Sequence, residues 1–553
     1  MKKRVNIGVQ LRGRIEQLLK GHKQASLTVP QILVALEMQQ QDKSILFGEL
    51  KKMQDEGLLI KTTGGRFGLP ERLDCLTGVL QGNRRGFAFL RPDRQTDDIF
   101  ISAGNLKDAA HGDRVLVRLE QKRSRRRREG TVIGILKRGQ SRLVGTLQRE
   151  GKKYYVVPDD QRFPGSIQVL LKGPKQTAVG DKVVVEIEEW SHGKQPSRGK
   201  IVEFIGPPGS ISTERLAFKY KFDLPGEFPP AVLEGLELLP GEEDIALLAE
   251  KQGRADLRDL KMVTIDDELA RDFDDAVSLE LLDNDSYRLG VHIADVSHYV
   301  SEGKALDREA LKRGTSTYLV DRVIHMLPPL LSEKICSLQA GKDRLAVSVF
   351  MDIDSEGQLT GARLFPSLIR VTERLTYQQV EAHFAGKEDR KPFQDGALAD
   401  LLDQMSRLAG ILKRRRIERG ALDLDLPEAR IEVDEEGVPL SVEKRSMGRS
   451  ESLIEEFMVY CNETVAEHLF KKKLPCVYRV HAIPTEEKLI LLREILTLMG
   501  IEAAAHIKVL KQNHLKDLLE RTKGEKTERL VRYLVLRSLP QARYSATNDG
   551  HYG

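Results

Sequence analysis

T-I-D-D-E-L-A-R-D-F-D-D-A-V-S-L, residues Thr264–Leu279, sets Asp266, Asp272, Asp274 and Asp275 within ten residues of an apolar frame. Strand-like runs flank the acids, Lys261–Ile265 before them and Ala276–Leu282 after. Carboxylates between buried strands are costly unless something neutralises them. A divalent cation does so, and clustered oxygen ligands suit Mg²⁺ or Mn²⁺, ions that serve phosphoryl chemistry. The same spacing reads equally as a solvated acidic turn at a strand start. A calcium loop fits less well: Ala276-Val277 stand where that pattern needs an oxygen ligand and then a glycine. In an extended segment Asp272 and Asp274 share a face and Asp275 points the other way, so convergence of all four requires an irregular backbone.

Downstream of this cluster, strands and helices mix without the regular alternation of a doubly wound sheet. Tyr287–Asp295, ending in H-I-A-D, reads as a strand. Glu373–Ala385, Ala397–Arg419, Ser452–Lys472, Thr485–Met499 and Ile507–Thr522 read as helices. Residues 261–553 therefore form a large mixed α/β domain. Pro207-Pro208-Gly209 marks a boundary before it, and 205–260 reads as an acidic lead-in with helical character.

Upstream the pattern changes again. Residues 1–70 read as a winged helix-turn-helix. Gly13–Leu19 has helical spacing, Thr28 caps a second helix with Pro30 in its first turn, and Asp42–Glu56 carries Ile45, Leu46, Leu50 and Met53 at helical intervals. Leu58–Ile60 and Phe67–Leu69, around Thr62-Thr63-Gly64-Gly65, make the wing. Such a unit serves protein contacts as readily as RNA contacts. Residues 75–120 contain short strands at Thr77–Leu80, Gly86–Leu90, Asp98–Ile101 and Arg114–Leu119. R-G-F-A-F and I-F-I within them resemble the base-stacking strands of a cold-shock OB-fold, which makes Phe87, Phe89, Phe100 and Arg85 candidate RNA contacts. An ordinary core pair is the competing reading of Phe87 and Phe89. The run K-R-S-R-R-R-R within 121–128 reads as a solvated linker with nonspecific attraction for phosphate. Residues 131–204 read as a second OB unit, with strands at Val144–Leu147, Tyr154–Val157 and Lys182–Ile187. Gly180-Asp181 before its last strand echoes Gly112-Asp113.

Composition bounds the partners. The chain has 553 residues, enough for several cores, with 31% charged and 5% aromatic residues. No apolar run approaches a membrane span, and no apolar signal core follows the basic start, so a cytoplasmic protein without a membrane partner is expected. Cys75, Cys336, Cys461 and Cys476 are far apart and lack metal-site spacing. The net charge of +5 hides an asymmetry. Residues 1–200 hold 39 Lys and Arg against 22 Asp and Glu, whereas 201–553 hold 49 against 61. A basic front half suggests a polyanion partner.

D-x5-D-x-D-D followed by H-I-A-D resembles the catalytic signature of the RNase II/ribonuclease R family of bacterial 3′→5′ exoribonucleases. The resemblance continues through T-S-T-Y-L-V-D-R-V-I-H-M-L-P (Thr315–Pro328), I-C-S-L (Ile335–Leu338) and K-R-R-R-I-E-R-G-A-L-D (Lys413–Asp423). L-I-E-E-F-M-V-Y-C-N (Leu453–Asn462), V-Y-R-V-H-A-I-P (Val477–Pro484) and Y-S-A-T-N-D-G-H-Y-G (Tyr544–Gly553) extend it. It implies a multidomain α/β protein: a winged helix-turn-helix, two cold-shock OB-fold β-barrels and a large mixed α/β catalytic domain. It also implies a Mg²⁺-dependent, processive enzyme, with Mn²⁺ as the other ion, that releases nucleoside 5′-monophosphates from single-stranded RNA. RNA-decay or ribosome-associated factors would be further partners.

The resemblance also assigns roles. Asp266, Asp272 and Asp275 correspond to carboxylates that bind the principal metal or order its surroundings. Asp274 corresponds to the one most needed for turnover, with Asp272 beside it. Tyr318 corresponds to an aromatic that stacks on bases near the RNA 3′ end. Arg344 and Arg414–Arg416 are candidate phosphate contacts, and surface ion pairing is the alternative for each. The family continues past H-Y-G into an S-P-I-R-R-Y-like motif, whose arginine contacts the scissile phosphate, and then a further OB domain. The expectation is therefore a catalytic domain whose C-terminal part is missing here. Two other readings stay open: a noncatalytic RNA-binding or regulatory protein with a vestigial nuclease domain, and a metal-dependent hydrolase of small phosphoesters.

Overall fold

The computed structural model of the chain describes residues 2–551 except 63, 94–97, 121–127, 164, 171–178, 191–195, 388–395, 423–427, 436, 446, 483 and 502–511. Outside the described residues lie the basic run (Arg128 apart), Thr63 of the wing turn, Asp423, the start of the helix expected over Ile507–Thr522, and Tyr552-Gly553. The chain divides into two units, Met1–Pro225 and Gly226–Gly553.

The first unit begins with helices Lys2–Gly21, Val29–Ala35 and Lys43–Asp55 and a small sheet of Ser26–Leu27, Phe67–Gly68 and Ile60–Lys61. Thr28 caps the second helix reciprocally: its hydroxyl accepts from Gln31 N–H, and the Gln31 side chain accepts from Thr28 N–H at 2.9 Å. Leu46, Leu50 and Met53 pack with Ile15, Leu19, Ile32 and Phe67. Ile45, expected on that face, is 57% exposed.

A five-stranded sheet follows, in the order Ile99–Ile101, Ala88–Pro92, Cys75–Gly82, Arg114–Leu119, Gly130–Lys137. The last strand corrects the expected boundaries. Gly130–Lys137 pairs with Arg114–Leu119, and Val132 shares a core with Val115 and Val117, so it completes the first OB unit and does not open the second. The second is a closed barrel of Arg142–Glu150, Lys153–Pro158, Ile167–Val169, Lys182–Glu189 and Ser197–Gly206. Helix Ile211–Lys221 lies on this barrel, with Ala217 against Val144 and Val184. The expected lead-in is thus divided between the two units.

The second unit is built on a seven-stranded sheet in the order Ala255–Leu257, Leu359–Arg370, Asp343–Ile353, Tyr287–Ala294, Asp275–Leu281, Val263–Asp266, Glu373–Thr376. The pairs at both edges are parallel and the inner pairs antiparallel. Strand alternation feeds two cores. Val277, Leu289, Val291 and Met351 face the helices Gly396–Glu418 and Arg449–Lys471, through Leu402, Met405, Leu408 and Phe457. Ala276, Ala294, Leu345 and Leu368 face Ile245, Ala249, Leu331 and Leu338. Burial on both faces explains why these strands read as nearly continuous apolar runs.

Glu373–Ala385, expected as one helix, begins as a strand. Glu373–Thr376 pairs in parallel with Val263–Asp266, and the helix is Tyr377–Phe384. Thr376 fixes the switch by accepting from Gln379 N–H at 3.1 Å.

Candidate active site

Asp266 ends the strand Val263–Asp266, and Asp275 begins its neighbour Asp275–Leu281. Among the described residues these strands pair only at Val263 and Val277, and residues 267–274 between them are irregular, as the spacing of the acids required. Several fixed contacts hold the turn. Ser337 Oγ accepts from Phe273 N–H at 3.2 Å and donates to Arg271 O at 2.7 Å. Leu338 N–H donates to Phe273 O at 2.9 Å, and Ala294 N–H donates to Asp274 O at 2.9 Å. Arg374 Nη2 donates to Asp267 O and Glu268 O, each at 2.9 Å.

The carboxylates crowd one another in a partly desolvated place. Burial, then the charge of Asp275, pushes Asp266 up to about 7, against the opposing pull of Arg374. Burial, then Asp272 and Asp275, raises Asp274 above the ordinary range, and burial raises Asp275. One oxygen of Asp266, Oδ2, is buried without a hydrogen-bond partner. An unpaired buried carboxylate oxygen beside three further acids is a donor set that fits a hard divalent cation. Among the described residues, no three His, Cys, Asp or Glu side chains are gathered closely enough to hold an ion as they stand.

Tyr318 lies in a short hairpin, Thr317–Tyr318 with Val323–Ile324. It is 67% exposed, and its hydroxyl donates to Asp272 Oδ2 at 3.0 Å. The structure thus sets Asp272, Asp274 and Asp275 near enough to Asp266 to act on it by charge, and ties Tyr318 to Asp272 by a hydrogen bond.

Arg344 stands elsewhere and corrects the expectation of a phosphate contact. It is 1% exposed, and it donates to Ser337 O, Asp343 O and Glu242 Oε1 at 2.8–2.9 Å. Its charge is used inside the fold. Arg416 is similarly committed to Glu456, at 2.6 and 3.0 Å. The H-I-A-D acid, Asp295, pairs with Arg254 at 2.6 Å with both groups nearly buried. His292 is buried between Ser278 Oγ at 3.0 Å and Ser348 Oγ at 2.7 Å, and burial pushes it down to about 3.

In the first unit, Phe87, Phe89 and Phe100 form a half-buried cluster with ring centroids 5.5–5.8 Å apart. Ala88, Leu90, Ile99 and Ile101 alternate with them and fill the core, so the three rings occupy the outer face. Arg85 beside them is exposed.

Two residues that order the turn escaped the sequence reading. Ser337 lies in the quoted I-C-S-L, which gave a local signal without a role. Arg374 fell in a segment expected to be helical.

The RNB domain family matches residues 254–553, the ribonuclease B OB domain 78–135 and the cold shock domain 155–229. Ribonuclease R of Thermotoga maritima is 40% identical over 513 residues, 91% of this chain and 70% of that protein. Ribonuclease R of Aquifex aeolicus is 36% identical over 539 residues, 97% of this chain and 74% of that protein. Among solved structures, Mycoplasma genitalium RNase R in complex with ribose-methylated single-stranded RNA superposes with a TM-score of 0.78 at 27% identity, covering 86% of this chain and 74% of that one.

Proposed function

The chain belongs to the RNase II/ribonuclease R family of 3′→5′ exoribonucleases, and on that premise we propose that it degrades single-stranded RNA processively to nucleoside 5′-monophosphates with Mg²⁺, Mn²⁺ serving as the substitute. The observation that carries this reading is the Asp266–Asp275 turn, with four carboxylates, an unpaired buried Asp266 oxygen and an exposed aromatic tied to Asp272. Asp266, Asp272, Asp274 and Asp275 would hold the divalent ion. When bound, such an ion supplies stabilisation of phosphate charge and a more acidic water.

The chain's own groups set the substrate. The exposed Tyr318 ring stacks on a base near the 3′ end while its hydroxyl fixes Asp272. Base stacking contributes roughly 1–3 kcal/mol per base and tolerates any sequence, which suits an enzyme without sequence preference. Asp274 is the carboxylate on which turnover most depends. Phe87, Phe89 and Phe100 offer a second stacking surface, with Arg85 for phosphate. No described helix is long and apolar enough to cross a membrane. We place the protein in the cytoplasm, with RNA-decay or ribosome-associated factors as further partners.

Product analysis tests the chemistry. Incubation with single-stranded RNA and Mg²⁺ should yield nucleoside 5′-monophosphates, and EDTA should stop their release. Nucleoside diphosphates formed in the presence of inorganic phosphate would instead mean phosphorolysis and refute the proposal.

A further inference from the structure

We propose that Arg374 is a positioning residue of the hydrolytic site, fixing the 267–273 turn that carries Asp272 and leads into Asp274. The inference rests on the hydrolytic reading above. Arg374 lies on the edge strand Glu373–Thr376, in register with Thr264 of the neighbouring strand. From there one guanidinium reaches both ends of the turn. Its Nη2 donates to the carbonyls of Asp267 and Glu268 at 2.9 Å each, at the start. Its central carbon lies 5.5 Å from the ring centre of Phe273, at the end. Ser337 holds the same end through its own hydrogen bonds to Phe273 and Arg271, so the turn is held by two elements distant in sequence.

The residue type matters. A planar guanidinium donates in a fixed fork and stacks at the same time, whereas a lysine ammonium is a point charge that cannot do both. Arg374 Nε is buried with no partner, as is Asp266 Oδ2. A buried unpaired donor is a cost that an apolar residue of similar size would avoid. Its presence beside the carboxylates is explained when the rest of the side chain orders the turn and its positive charge is set against Asp266.

The test compares Arg374→Lys and Arg374→Gln with the unaltered chain in three measurements: single-turnover RNA cleavage, gel-shift affinity and hydrogen exchange along 267–275. A misplaced catalytic group costs on the order of 10²-fold. Both variants should lose about that much in cleavage rate and keep RNA affinity within about twofold. Their amides over 267–275 should exchange at least about tenfold faster, while those of Tyr287–Ala294 stay as protected as before. Unchanged exchange over 267–275 in a folded Arg374→Lys overturns the proposal. So does a loss of RNA affinity that accounts for the lost rate, because Arg374 would then be an RNA contact. Exchange is read whether or not the unaltered chain cleaves RNA, so failure of the hydrolytic reading is distinguished from failure of this one.

Discussion

Asp274 stands at the exposed end of the acidic turn and His292 is fully buried, and they do different work. Asp274 is raised by burial and by its acidic neighbours, the condition of a group that needs a cation. Asp274→Asn should lower turnover by at least about 10²–10³, the typical cost of removing one transition-state stabiliser, and leave RNA affinity near normal. Gel shift and single-turnover cleavage measured together check this; a variant that cleaves normally would remove Asp274 from the mechanism. His292 bridges Ser278 and Ser348, and Ser348 Oγ in turn lies 2.6 Å from Ser367 Oγ, a polar chain through the sheet interior. Its folded value of about 3 lies below the usual 6.5. The unfolded chain therefore binds the extra proton first. This site's full contribution to stability is present above pH 6.5 and is lost as pH falls towards 3. His292→Gln should be less stable at pH 7, by about 1–3 kcal/mol for the disturbed buried hydrogen bonds. It should also show a flatter decline between pH 6.5 and 4 in denaturant titrations. A decline as steep as that of the parent would show that His292 is already protonated in the fold.

Elements decide how much of this was legible beforehand. The acidic turn announced itself because its signal is local: four acids in an apolar frame, at a spacing that regular strands cannot bring to one side. The winged helices were readable for the same reason, through Thr28, Pro30 and the spacing of Leu46, Leu50 and Met53. Long-range pairing was not. Gly130–Lys137 looked like the start of a second barrel because only its register with Arg114–Leu119 assigns it to the first. Arg344, following Lys342-Asp343, looked like surface until Glu242, about a hundred residues earlier, supplied its partner. Arg374 was hidden by a helix propensity that parallel pairing with Val263–Asp266 overrides. Two predictions belong to this scale. A Cβ at Gly290 would meet Ser278 Oγ at 2.2 Å and His292 Nε2 at 2.9 Å. Gly290→Ala should therefore destabilise the sheet by about 1–3 kcal/mol, read as a lower melting temperature; an unchanged melting temperature would mean the polar chain re-forms freely around the methyl group. On the outer face of the first OB unit, Phe100→Ala should weaken RNA binding by roughly 1–3 kcal/mol without changing the single-turnover rate at saturating enzyme. Unaltered affinity would make the three rings a packing cluster only.

Across the whole molecule, charge and chemistry are divided. Residues 1–200 carry the basic excess, and the acidic remainder carries the carboxylate turn. Binding that neutralises phosphates should weaken steeply with salt, and residues 226–553 prepared alone should show a shallower slope of log K against log salt than the full chain. Equal slopes would place the phosphate contacts in the acidic unit. Whether this chain is a metal-dependent exonuclease working from the 3′ end, and not a binding protein on a nuclease scaffold, is decided with one RNA. A single-stranded oligonucleotide labelled at its 5′ end is incubated with the folded chain in Mg²⁺, with EDTA and the Asp274→Asn chain alongside. Labelled products should shorten progressively from the 3′ end in Mg²⁺ alone, with RNA bound but intact under both other conditions. A chain that binds the RNA and leaves it full-length in Mg²⁺, or that releases the 5′ label first, would contradict the exonuclease reading.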